Sequence, residues 1–136
     1  MFTYDYSWTV TLGSTSAMEN LYFAEYFRIQ GIVREMWAVE HIDGLATILR
    51  GGLIMSTKEA NCRYIKPFFL YDKAVCKMSF RKLRRVSVDV VFEFYNAELP
   101  DLYACGFQTL VFKDSNRKTC RMPEEFRPAI KKFLWE

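Results

Sequence analysis

Few side chains in this 136-residue sequence could drive bond-making chemistry on their own. The single histidine, His41, stands near the end of a long apolar stretch and no G-x-S-x-G elbow occurs, so a Ser-His-Asp hydrolase has no footing. His41 reads as a basic partner for a helix C-terminus. The four cysteines, Cys62, Cys76, Cys105 and Cys120, stand singly without a C-x-x-C pair or a neighbouring histidine. That spacing points to reduced, structural thiols rather than to zinc or disulfides. Neither G-x-G-x-x-G nor a P-loop signals a nucleotide. What remains is a polar turn and scattered arginines. Ser16 and Glu19 share a face if the turn is helical. Asn20 stands where a helix would begin, beside free N–H groups running to Phe23 that could hold an anion. Asn20 also fits a plain helix cap, and the two roles are compatible.

The elements that must position these residues follow from pattern. Phe2 to Leu12 alternates, with Phe2, Tyr4, Tyr6, Trp8, Val10 and Leu12 on one side and polar residues on the other, which predicts a half-buried strand. Gly13 to Ser16 breaks it, and a helix runs from Leu21 to about His41. That helix is apolar on most sides, so something must wrap it. Gly31 within it costs about 1 kcal/mol against Ala, which close contact with a neighbouring backbone could offset. Asp43-Gly44 ends it. After Gly51-Gly52, strands are expected at 53–65, 74–83, 86–95 and 102–113, and Pro123 leads a short helix to Phe133. This order does not suit a doubly wound sheet. It predicts an α+β hot-dog fold, an antiparallel five-stranded sheet wrapped around one long central helix, with a short C-terminal helix.

Composition narrows the partners. With 51% apolar residues, residues 1–136 suffice for one domain burying roughly two thirds of its unfolded surface. The net charge is only +3, with basic and acidic residues interleaved, so no nucleic acid is expected. MFTYDYSWTV lacks a signal pattern, and the apolar runs fall short of the ~20 residues a membrane span needs. A cytoplasmic protein with no membrane contact is expected. Aromatic residues make up 17%, suited to walls around a long apolar ligand and equally to a tight core.

The segment TSAMENLYFAEYFRIQGIVREM, Thr15 to Met36, resembles the turn and central helix of hot-dog thioesterases of the 4-hydroxybenzoyl-CoA thioesterase type. Within that type it is most similar to the stand-alone acyl-carrier-protein thioesterases of enediyne polyketide pathways. CRYIKP, with Asp72 following, resembles the family's strand that ends in a proline and a G-D turn. GFQTLVFKDSNRKTCRMPEEFR resembles its last strand and tail, so the likeness spans most of the chain. It implies a thioesterase that hydrolyses a polyketide or fatty acyl thioester of an acyl carrier protein or CoA, followed by loss of CO2 where the acid is a β-keto acid. It implies no metal and no cofactor. It also implies a homo-oligomer, a dimer or a homotetramer built as a dimer of dimers, with sites at the subunit interface. Arg34 matches the family's catalytic arginine and Tyr26 a pocket-lining tyrosine, with Leu21, Tyr22, Phe23 and Phe27 as further substrate-binding candidates. The family's loop aspartate or asparagine falls on Ser16 and the glycine of its G-N pair on Glu19, while Asn20 is retained. Ser16 lacks the expected amide or acid, so a non-hydrolytic hot-dog acyl-binding module, or an acyl transferase or dehydratase, is the competing reading.

Hydrolysing a thioester requires a polarised carbonyl, a stabilised oxyanion and a positioned water. Ser16 could orient the water, and Glu19 could act as a general base moved by one turn; Glu19 also fits as a favourable charge at a helix N-terminus. Arg34 stands 14 positions beyond Asn20, about 21 Å along a straight helix, so its site would belong to another subunit. An ion pair with Glu35 or Glu40 is the alternative for Arg34. Phe23, Phe27, Met36, Trp37, Phe68 and Phe69 are candidates for an acyl tunnel or for plain core. Arg81-Lys82-Leu83-Arg84-Arg85 reads as a solvated turn or as a docking patch for an acidic carrier.

Overall fold

The computed structural model describes residues 2–135. The elements are β1 (Tyr4–Thr9), a 3-10 turn (Leu12–Ser14), α1 (Glu25–His41), α2 (Leu45–Arg50), β2 (Ile54–Tyr64), β3 (Lys73–Arg81), β4 (Ser87–Asn96), β5 (Leu102–Lys113) and α3 (Phe126–Lys131). The strands form one antiparallel sheet in the order β1-β3-β4-β5-β2.

Period-2 alternation builds one continuous inner face. Tyr6 on β1 opposes Cys76 on β3, which opposes Phe94 on β4, which opposes Ala104 on β5. Along β3, β4 and β5 the even-numbered residues from Ala74 to Phe80, Val88 to Phe94 and Ala104 to Phe112 are buried, and Met78, Phe80, Phe92, Leu110 and Phe112 form the core beneath α1. On β2 the register against β5 slips between Thr57 and Glu59, so Thr57 opposes Leu110 and Ala60 opposes Gln108. This bulge puts both Thr57 and Ala60 on the inner side, as an extra residue in one strand must.

Four expectations are corrected. The first strand is Tyr4–Thr9 rather than 2–12, because Leu12 turns into the 3-10 segment and lies exposed. The long helix begins at Glu25, not Leu21. The apolar run before it is captured by backbone bonds from Leu21 N–H to the Phe68 carbonyl (2.8 Å) and from Leu70 N–H to the Glu19 carbonyl (3.0 Å). The helix is not wrapped all round: Tyr26, Ile29, Gln30, Val33 and Trp37 face the sheet, while Phe27 and Val39 are exposed. That is an ordinary one-sided helix stripe. Gly31 faces open space, with nothing within 4 Å of where a Cβ would stand. Gly44 does turn the chain after α1, in the left-handed region at φ 70, and α2 follows as an unforeseen helix. No helix among the described residues is long and apolar enough to cross a membrane.

Candidate active site

Ser16, Asn20 and Tyr26 meet at one groove. The chain folds back between Thr15 and Leu21, which pair as an isolated bridge, so Ser16 and Asn20 face each other across a tight turn. The Ser16 N–H donates to the Asn20 carbonyl at 2.9 Å, and Ser16 Oγ donates to Asn20 Oδ1 at 2.8 Å. This second bond fixes the Asn20 amide with its oxygen toward the serine, leaving the NH2 group as a donor without a partner among the described residues. Leu21, Tyr22 and Phe23 continue the same wall; Tyr64 to Pro67, at the end of β2, form the opposite one, and together they enclose about 390 Å³. The walls are tied by Tyr64 Oη donating to the Phe23 carbonyl at 2.8 Å, and by the edge-on contact of the Tyr26 and Tyr64 rings at 4.8 Å. Burial pushes the Tyr26 hydroxyl up to about 12, so it is a neutral donor at physiological pH.

The backbone of this turn differs from the expected one. No helix starts at Asn20, and the amides of Leu21 and Tyr22 are spent on the carbonyls of Phe68 and Ser14. A row of free amides from Asn20 to Phe23 is therefore absent, and Ser16 and Glu19 do not share a helical face. Glu19 stands at the tip of the turn with φ 61, exposed and outside the groove lining. The glycine of the family's G-N pair suits such a left-handed position.

Arg34 lies elsewhere in the same chain. It is eight residues along α1 from Tyr26, about 12 Å, and is not part of the groove lining. Its Nη1 donates to Thr57 Oγ1 at 2.7 Å and to Gln108 Oε1 at 2.8 Å. Among the described residues no carboxylate lies within ion-pair range of it, and its Nε and Nη2 donate to nothing. The alternative of an ion pair with Glu35 or Glu40 does not form, since Glu40 accepts from the Tyr4 hydroxyl instead. Burial lowers the Arg34 pKa, but a guanidinium stays charged. A partly buried cation held only by neutral acceptors, with one N–H edge open, has the geometry to accept an anion with two parallel bonds.

Of the other tunnel candidates, Trp37 and Phe68 are plain core, and Phe27, Met36 and Phe69 do not line the groove. Tyr64, Ile65, Lys66 and Pro67 escaped the sequence reading as groove residues, although CRYIKP had drawn attention to that strand end. Thr57 and Gln108, which hold Arg34, and Gln30, which holds Gln108, were missed entirely. His41 ends α1 with its ring against Tyr4 and Phe133. All four thiols are free, and burial pushes Cys62 up to about 11, far from the range of a reactive thiolate. In the basic turn, Arg84 pairs with the buried Asp89 at 3.0 and 3.2 Å and Arg81 stacks 3.9 Å from the Trp135 ring centre, so Lys82 and Arg85 are the exposed cations left.

A five-stranded antiparallel sheet curled over one long helix, in this strand order, is the hot-dog fold. The sequence matches the model of the thioesterase-like superfamily over residues 10–130, and the chain belongs to that superfamily; this membership supports thioester hydrolysis. Among solved structures, the dynemicin thioesterase superposes with a TM-score of 0.91 at 24% identity, covering 98% of this chain and 99% of that one. A 1,4-dihydroxy-2-naphthoyl-CoA thioesterase from Synechocystis superposes at 0.86 with 21% identity, covering 95% and 96%. A Staphylococcus aureus protein solved in complex with CoA superposes at 0.89 with 15% identity, covering 98% and 85%. No curated protein sequence matches.

Proposed function

We propose that this chain hydrolyses a polyketide or fatty acyl thioester held on the phosphopantetheine thiol of an acyl carrier protein or of CoA. Water adds to the carbonyl carbon, the C–S bond breaks, and the products are the free acid and the thiol. A β-keto acid released this way can then lose CO2. The observation that carries the reading is Arg34, a partly buried cation without a counter-ion among the described residues, whose Nε–Nη2 edge is open. An oxyanion or substrate carboxylate satisfies that edge with two parallel bonds. The Asn20 NH2 group, set by Ser16, is read as the second donor to the thioester oxygen and Ser16 as an orienting group for water. Glu19 is the candidate base, and Tyr26, Leu21, Tyr22 and Phe23 are read as the acyl-chain wall, with Phe27 joining from a partner.

Because Arg34 and the Ser16–Asn20 groove are apart within one chain, the site is read as shared between two copies. β2 is an edge strand with an unpaired outer side, and such edges are natural templates for pairing. The groove sits at the Tyr64 end of β2 and Arg34 near the Thr57 end. Antiparallel pairing of β2 with its copy, centred on the strand, brings the groove of one chain toward Arg34 of the other. Exposed Tyr22, Phe23, Tyr64 and Ile65 beside that edge form an apolar margin suited to such a contact. A dimer, or a homotetramer made of two, working in the cytoplasm follows from this reading. Lys82 and Arg85 are read as docking cations for an acidic carrier.

Thiol release from a panel of acyl-carrier-protein and acyl-CoA thioesters tests the proposal. Arg34→Ala is expected to lower kcat by about a hundredfold or more, the scale for removing an oxyanion donor. Full activity in Glu19→Gln removes Glu19 as the base. Tight binding of acyl carrier without turnover of any substrate selects the acyl-binding module instead.

A further inference from the structure

Behind Arg34 runs a chain of amides. Gln30 is fully buried one turn earlier on α1, and Gln108 is nearly so on β5. Gln30 Nε2 donates to the Asn61 carbonyl at 3.4 Å, Gln108 Nε2 donates to Gln30 Oε1 at 2.9 Å, and Arg34 Nη1 donates to Gln108 Oε1 at 2.8 Å. Every link runs the same way. Its direction is set at the far end by a backbone carbonyl, which can only accept. Turning either amide over would bury NH2 against NH2, or NH2 against the guanidinium, leaving unpaired donors in a dry site. Gly106 completes the arrangement, since a Cβ there would overlap the Gln30 amide nitrogen.

We propose that Gln30 and Gln108 are positioning residues: Gln108, held by Gln30, joins Thr57 in binding the two Nη1 protons of Arg34 and so aims its Nε–Nη2 edge at the oxyanion that forms on the thioester carbonyl. The inference rests on reading Arg34 as the cation that binds the oxyanion. Its physical point is the neutrality of the clamp. A carboxylate at position 108 would hold Arg34 equally firmly but neutralise it, whereas an amide oxygen fixes the direction and leaves the full charge for the incoming anion.

The test uses the full chain and the thioester that the wild type turns over fastest. Gln108→Leu is expected to lower kcat about ten- to a hundredfold, with KM nearly unchanged. In an Arg34→Ala background it should cost nothing more, and free guanidinium should revive Arg34→Ala but not Arg34→Ala/Gln108→Leu. Gln108→Glu should also lose kcat despite keeping an acceptor. Without substrate, the 15N order parameter of Arg34 Nε should fall in Gln108→Leu. Thr57→Val, on the exposed edge strand, removes the other arm without touching the core and should lower both kcat and that order parameter. It decides the matter if Gln108→Leu does not fold. A folded Gln108→Leu with wild-type kcat and an unchanged Nε order parameter overturns the inference, as does an equal loss in both backgrounds. Wild-type kcat in Arg34→Ala sinks the functional reading itself, whereas loss there with an intact Gln108→Leu sinks only the clamp.

Discussion

Glu19 carries a cost that its neighbours impose. Its φ of 61 puts a residue with a Cβ in the left-handed region, where the strain is about 1–2 kcal/mol. The position is held from both sides, by its own N–H on the Ser16 carbonyl at 2.9 Å and by its carbonyl accepting from Leu70 at 3.0 Å. Glycine relieves the strain and loses some of the gain to unfolded-state entropy. Glu19→Gly is therefore expected to be more stable by about 1 kcal/mol, read as a raised Tm. A lowered Tm would mean the carboxylate supports the turn. The same variant lacks the candidate base, so comparing its kcat with that of Glu19→Gln separates backbone from charge.

At the scale of elements, the core lies between the inner face of the sheet and α1. Phe92 is completely buried on the central strand, and Phe92→Ala is expected to cost about 3–5 kcal/mol, the range for emptying a large aromatic from a packed core. A loss under about 1 kcal/mol in a denaturant titration would mean that α1 can settle into the gap. The strands were legible because alternation is a direct image of a one-sided sheet: 102–113 and 86–95 fall within a residue of β5 and β4. The start of α1 was not. Leu21 to Ala24 has the composition of a helix, but the Phe68 carbonyl takes the Leu21 amide and the Ser14 carbonyl takes that of Tyr22; the first is a contact across nearly fifty positions that leaves no local trace. The site was half legible for the same reason. Ser16, Asn20 and Tyr26 belong to one continuous segment, whereas Tyr64 to Pro67 arrive from the far end of β2. Gln30 and Gln108 did leave a signal. Each is an amide at an inward position of its element, between Tyr26 and Val33 and between Gly106 and Leu110, and two buried amides ask to be each other's partner.

For the whole molecule, the decisive question is whether the groove of one chain works with Arg34 of another. Mixing Arg34→Ala with Asn20→Ala chains answers it. If each site needs both residues from different copies, random reassociation gives mixed dimers in half the population, each with one intact site, and about a quarter of wild-type activity returns. If each chain carries a complete site, the mixture stays as inactive as its parts. The open edge of β2, eleven residues long, has a further consequence for how the protein behaves in time and quantity. If the site exists only where two such edges meet, as proposed, dilution switches it off without any chain unfolding. Specific activity should then fall below a threshold concentration and recover with a lag on reconcentration, making the amount of protein in the cell a control on the reaction as direct as the amount of substrate.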